Sequence, residues 1–115
     1  MSSLVPPRVP LSEVRFVQDY VQLVFQDGTL SVYNEATVCS DGKRFSTGEP
    51  GFTDALVQLI GRRPESVRQD PETILKIHFD DGSTFAVLKA NPGSTTLEAF
   101  QFTHEAGIVV GQNVP

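Results

Sequence analysis

Cysteine is nearly absent from this sequence, since Cys39 is the only one among 115 residues. A single thiol excludes an intramolecular disulfide and a zinc site built from several cysteines. Long apolar runs are absent too, and none reaches the roughly 18 residues of a membrane-spanning helix. No lysine-led apolar segment opens the chain, so the sequence predicts no signal peptide, no membrane contact and a cytoplasmic protein.

Basic residues are also scarce, with 9 Lys and Arg against 14 Asp and Glu and a formal net charge of −5. Nucleic-acid binders usually carry a basic face, so we expect no nucleic-acid partner. Residues 49–115 hold nine of the acids and five of the bases, and therefore most of the excess. An acidic surface speeds association with a basic partner, although it also simply keeps a protein in solution.

Size and composition fit one globular domain. A chain of this length with 39% hydrophobic residues buries enough surface to fold without a metal or a disulfide. The opening segment, MSSLVPPRVP, contains three prolines and no apolar period. We therefore predict a flexible N-terminal arm over residues 1–10 and a single α+β domain over residues 11–115.

Period-two alternation predicts strands in the first half of the domain. Leu23 and Phe25 fall at alternate positions of YVQLVFQ, which gives the strand one apolar face. The following Asp-Gly pair matches a two-residue type I′ turn, a register that sets Phe25 opposite Leu30. The segments EATVC and KRFS, separated by SDG, predict a second hairpin.

The period changes to that of a helix in GEPGFTDALVQLIGRRP. Phe52, Leu56, Leu59 and Ile60 recur at i, i+4, i+7 and i+8, which makes one apolar stripe. The preceding proline suits the first helical turn, and the glycine after the stripe suits a left-handed cap. We predict one amphipathic helix over about residues 50–60 that packs on the sheet through this stripe.

The second half of the chain repeats the first. VQLVFQDGTLSVY and LKIHFDDGSTFAVL share a strand, Phe, x, Asp-Gly and a Thr-led apolar alternation, and a one-residue gap aligns residues 29–32 with residues 84–87. The similarity predicts duplicated β-hairpin units with the helix between them. The final TTLEAFQFTHEAGIVVGQ predicts two more strands around HEAG, so the expected fold class is α+β with a mostly antiparallel sheet.

The extra residue in the second copy has a structural explanation. A three-residue loop over residues 80–82 pairs Ile77 with Phe85, whereas a two-residue loop would set His78 opposite Phe85 and mix the two faces. Gly82 then occupies the left-handed position that such loops require.

Chemistry-bearing residues gather in two turns, which contribute His78, Asp80 and Asp81 from HFDDGS, and His104 and Glu105 from THEAG. His78 and Asp80 share a strand face, but no further ligands follow at a fixed spacing, so we predict no metal site and no cofactor. His104 and Glu105 are sequence neighbours and point to opposite sides of a strand, which makes no acid–base pair. With no catalytic constellation in the sequence, these five residues are candidates for partner binding.

The order of FQDG hairpin, DG turn, helix ending in LIG, FDDG hairpin and EAFQF resembles small bacterial domains of unknown function built from strand–F-x-DG–strand units. The resemblance covers about residues 14–112, and such acidic domains are often found among immunity-type proteins of bacterial toxin systems. It implies a fold and no catalytic residue. The ending VVGQNVP departs from the resemblance, because the ending in those domains is usually aromatic.

Three functions remain open. The acidic balance and small size favour a non-enzymatic protein-binding module of bacterial type, an immunity-like protein that neutralises a basic partner. The first alternative is a small ligand-binding domain or enzyme that uses His78, His104 or Glu98 in a cleft between the halves. The second alternative is a structural module that self-associates through exposed sheet edges and forms a homo-oligomer.

Overall fold

The computed structural model describes residues 9–18, 20–89, 98–104 and 107–112. For Glu98, His104 and residues 107–112 the description covers the backbone alone. Most of the predicted arm, together with Glu105, lies outside the described residues. Val9, near the end of that arm, packs against the hydrophobic core.

Ten strands and one helix make up the described part of the chain. In chain order they are β1 (Leu11–Val17), β2 (Tyr20–Phe25), β3 (Gly28–Val32), β4 (Ala36–Ser40), β5 (Lys43–Ser46), α1 (Phe52–Val57), β6 (Pro64–Arg68), β7 (Thr73–Phe79), β8 (Thr84–Leu88), β9 (Glu98–His104) and β10 (Gly107–Gln112). Every strand pair among them is antiparallel. Mostly antiparallel sheet with a single short helix confirms the predicted α+β class.

The strands form two five-stranded sheets, sheet A with the order β1-β2-β3-β9-β10 and sheet B with the order β5-β4-β8-β7-β6. Exchanging β1 for β6, β2 for β7, β3 for β8, β4 for β9 and β5 for β10 turns the order of sheet A into that of sheet B read in reverse. Each half of the chain therefore contributes a three-stranded meander to one sheet and a two-stranded hairpin to the other.

Strand irregularities follow the same correspondence. In β1 the register against β2 shifts directly after Leu11, which pairs with Phe25. In β6 the register against β7 shifts directly after Pro64, which pairs with Phe79. Leu11 and Pro64 are both buried, so each bulge begins where an edge strand inserts a side chain into the core.

The chain passes from one sheet to the other between β3 and β4, and again between β8 and β9, and we call these two connections the crossings. Hydrogen bonds beside them correspond as well. The amide of Tyr33, after β3, donates to the carbonyl of Ala99 at the start of β9 over 2.8 Å. The amide of Leu88, at the end of β8, donates to the carbonyl of Glu35 just before β4 over 2.9 Å. The two hydrogen bonds therefore occupy equivalent positions, each directly beyond the last residue pair of a strand pairing between the halves.

A single hydrophobic core draws side chains from both sheets and the helix. Leu23 and Phe25 on β2 are buried, as are Leu75, Ile77 and Phe79 at alternate positions of β7. Each such side chain contributes about 1.5–3 kcal/mol through burial. The predicted period-two faces of these two strands are thereby confirmed.

The predicted three-residue loop at residues 80–82 is confirmed. Ile77 pairs with Phe85, and the amide of Phe79 donates to the carbonyl of Ser83 over 2.9 Å, which leaves three residues in the loop. Gly82 has φ 90°, in the left-handed region that favours glycine. The hairpin predicted around SDG is also present as β4 and β5.

The predicted register of the hairpin formed by β2 and β3 is wrong by two residues. Leu30 pairs with Leu23 rather than with Phe25, and Phe25 pairs with Gly28. Gly28 is not part of the turn, because it is the first residue of β3. It pairs with Phe25 of β2 on one side and with His104 of β9 on the other. A shift of two residues preserves the alternation of faces, so the apolar pattern alone does not distinguish the two registers.

The helix is shorter than predicted, and its apolar stripe ends one residue earlier. Phe52, Leu56 and Leu59 are buried, but Ile60 is 42% exposed. The amides of Leu59 and Ile60 donate to carbonyls three residues back, at 3.0 and 3.1 Å, so the chain tightens after α1 into 3₁₀ geometry. At three residues per turn Ile60 lies above Val57, which is 48% exposed.

The neighbouring residues Leu59 and Ile60 should respond differently to truncation. We expect Leu59→Ala to lower the free energy of unfolding by about 2–5 kcal/mol, because a buried side chain is lost. We expect Ile60→Ala to lower it by less than about 1 kcal/mol. Urea denaturation of both variants measures the difference, and equal losses would contradict the end of the apolar stripe at Leu59.

Candidate functional site

Three hairpin turns lie at the strand ends away from the crossings. The turn at residues 26–27 joins β2 to β3, the turn at residues 41–42 joins β4 to β5, and the turn at residues 80–82 joins β7 to β8. His104 and Gly107 pair at the same end of sheet A, beside Gly28. We call this region the turn end and define it by these turns, the His104–Gly107 pair and the loop after α1.

The loop after α1 ties the turn ends of the two sheets together. The amide of Leu11 donates to the carbonyl of Arg62 over 2.9 Å, and the amide of Gly61 donates to the carbonyl of Leu11 over 2.7 Å. One residue further on, the carbonyl of Arg63 accepts from the amide of Asp80 over 2.8 Å. Because Leu11 pairs with the last residue of β2, the turns of sheet A and sheet B lie on one side of the molecule.

The Asp81 carboxylate is held inside its own turn. Its Oδ1 accepts from the Ser83 amide and its Oδ2 from the Ser83 hydroxyl, both over 3.0 Å, and Arg62 Nε lies 3.2 Å from Oδ2. Burial acts to raise the pKa of Asp81, but the Ser83 hydrogen bonds and the Arg62 charge outweigh it and hold the pKa below its ordinary value. Asp81 therefore stabilises the loop, and Arg62 compensates part of its charge.

Asp80, the neighbouring residue, is exposed and held far less firmly. Its Oδ1 lies 3.4 Å from the amide of Arg63, a long contact. Asp27 and Asp41, in the other two described turns, are exposed as well. The turn end carries four described aspartates and two basic residues, Asp27, Asp41, Asp80, Asp81, Arg62 and Arg63, and Lys43 directly follows the turn at residues 41–42.

Asp27 and Asp41 were not among the predicted site residues. In the sequence each was explained completely by its Asp-Gly turn, and Asp41 does adopt a left-handed conformation, with φ 52°. The signal that could have found them is the sequence similarity of the two halves, because similar hairpins are expected to bring their turns to corresponding strand ends.

His78 lies on β7 and is half-buried, on the sheet face opposite Ile77 and the core. It pairs in register with Ser66 on one side and Thr84 on the other. Cys39 lies one strand beyond Thr84, so roughly 10 Å of sheet separates the thiol strand from the histidine strand. The register therefore forms no thiol–imidazole dyad.

The three residues of the predicted cleft do not converge on one point. Glu98 and His104 begin and end β9, about 20 Å apart along the strand. His104 lies in sheet A at the turn end, whereas His78 lies in sheet B. The structure thus brings Asp80, Asp81 and the backbone of His104 to the turn end, and leaves Glu98 at the crossings.

Among the side chains that the structure describes, no three His, Cys, Asp or Glu residues gather in a group able to hold a metal ion. Over the same residues, no helix has the length and apolarity needed to cross a membrane. Comparison of the chain with protein-family models, with curated proteins and with solved structures finds no match.

The pKa of Asp81 makes a pH-dependent contribution to stability. A carboxyl whose pKa falls on folding stabilises the protein above its unfolded pKa of about 3.9, and this contribution is lost as the pH falls through the folded value. We expect Asp81→Asn to lower the free energy of unfolding by about 0.5–1 kcal/mol at neutral pH and to cost less towards pH 3 or so. Urea denaturation at both pH values measures this.

Asp80→Asn is the matched control, because it removes the same charge from the next residue but only one long contact. We expect a smaller loss of stability from it. An Asp81→Asn variant as stable as the parent at neutral pH, or a loss that stays constant into acid, would contradict the role given to Asp81.

Proposed function

We propose that this chain is a non-enzymatic protein-binding module of bacterial type, an immunity-like protein that neutralises a basic partner through its turn end. The proposal rests on one observation, the hydrogen bonding of residues 61–63 to both sheets, which brings separate turns to one side of the molecule. Candidate partner-binding residues are those predicted from the sequence, His78, Asp80, Asp81, His104 and Glu105, with Asp27 and Asp41 added.

Charge at the turn end supports a basic partner. The ion pairs among the described residues are Arg15 with Glu13 and Arg62 with Asp81. The exposed carboxylates of Asp27, Asp41 and Asp80 therefore have no basic partner within the described chain. Exposed charges of this kind act mainly on the rate of association, through steering of an oppositely charged surface.

We infer further that the chain consists of duplicated β-units. The corresponding sheet orders, the bulges after Leu11 and Pro64, and the two equivalent hydrogen bonds beside the crossings support this inference. Residues 26–27 then correspond to residues 80–82, so each half supplies one such turn to the turn end. A partner would meet two related turns, one from each sheet, and both contain aspartate.

Paired charge variants test the proposal. The double variant Asp41→Asn and Asp80→Asn removes two charges from the turn end, and asparagine tolerates the left-handed conformation at residue 41. Glu35→Gln with Glu72→Gln removes two exposed charges from the strand ends opposite the turn end, and this double variant is the matched control. Both variants have the same net charge, so their difference isolates the position of the charge.

The immobilised parent first captures its partner from a native lysate, and binding of the purified partner is then measured against both variants. We expect the turn-end variant to associate on the order of threefold to tenfold more slowly at low salt, with the difference shrinking as salt rises. The control should associate nearly like the parent. Equal effects of both variants, or a partner that is not basic, would contradict the proposal.

A further inference from the structure

The outermost strands of the two sheets differ in how well they are protected against further pairing. Edge strands are usually blunted by charge, proline, shortness or a bulge. Three of the four edges carry such features: β1 has a bulge with Glu13 and Arg15, β5 has only four residues with Lys43 and Arg44, and β6 has a bulge with Pro64, Glu65 and Arg68.

The fourth edge, β10, carries the sequence GIVVGQ, without a charge or a proline. Among the described strands it pairs only with β9, in unbroken register from Gly107 to Gly111, and its one irregularity lies at Gln112. Alternate backbone N–H and C=O groups of such a strand point away from its neighbour. They therefore form a template that accepts one more antiparallel strand.

We propose that β10 pairs antiparallel with β10 of a second copy of this chain and so joins two sheets A into one continuous sheet. A two-fold axis normal to the sheet at Val110 sets this residue opposite its own copy in the partner, and the contact closes on itself. The two-fold axis therefore places β10, which has no charged residue, beside a second uncharged β10. Pairing of β10 with any other described edge would instead place charged residues against it.

Edge-to-edge association already holds the two halves of each protomer together. Sheet A is completed by the antiparallel pairing of β3 with β9, and sheet B by that of β8 with β4. The proposed dimer extends the same mode of association across β10. A six-residue strand pair buries less than the roughly 1,200 Å² of a stable interface, so the dimer is weak and forms as concentration rises.

Salt dependence separates this contact from the binding of a basic partner. Each copy carries a net charge of −5, so the two copies repel one another over distances that salt screens. Added salt should therefore strengthen dimerisation through the uncharged β10 edge, whereas it weakens binding of a basic partner at the turn end. The two proposals can fail independently.

Sedimentation velocity over a wide range of protein concentration tests the dimer. The register partner of Val110 is Gln101, which is only half-buried, so Val110→Lys introduces a charge away from the core pairing of Phe102. We expect Val110→Lys to lower the association constant about tenfold or more, because two lysines then meet across the axis. Val110→Thr keeps a β-branched, uncharged residue and should dimerise like the parent.

Ser66→Lys places the same new charge on the β6 edge and should leave dimerisation unchanged. A parent that stays monomeric at every concentration, or a Val110→Lys variant that dimerises as well as Val110→Thr, would overturn the proposal. Amide hydrogen exchange of the parent gives a measurement that needs no variant. The protection of residues 107–112 should increase with protein concentration, and protection independent of concentration would also overturn it.

Discussion

The fold depends on the antiparallel pairing between the two halves, of β3 with β9 and of β8 with β4. Each half supplies three strands to one sheet and two strands to the other, so neither sheet is complete without both halves. The single core follows from this exchange, because the crossings carry the chain from one sheet to the other with the buried faces turned towards each other. The turn end follows as well, since both crossings lie at the opposite strand ends.

Local patterns predicted the faces of the strands better than their partners. The alternation around Ile77 and Leu23 identifies which residues are buried, because period two is a property of one strand. Registers that differ by two residues have the same buried face, and so the register of Phe25 was wrong while that of Ile77 was confirmed. The three-residue loop distinguished the registers in the second case because a two-residue loop would have changed the parity.

The sequence did not predict where the apolar stripe of the helix ends or which turns lie together, because backbone hydrogen bonds determine both. Ile60 fits the stripe of an ideal α-helix, but hydrogen bonds over three residues rotate it away from the core, and no residue-type pattern signals that tightening. The predicted site residues came from two separate turns, and the sequence could not show that residues 61–63 bind both Leu11 of sheet A and Asp80 of sheet B. Backbone hydrogen bonds between distant segments determine that arrangement.

The exchange of hairpins also constrains the order in which the protein can form during synthesis. When β1 to β5 have left the ribosome, the hairpin of β4 and β5 has no β8 beside it, and β3 has no β9. The pairing surfaces of the first half therefore stay open until nearly the whole chain has been made. Long-range strand pairing of this kind slows folding, and the cell must keep the first half from associating elsewhere until the second half is available.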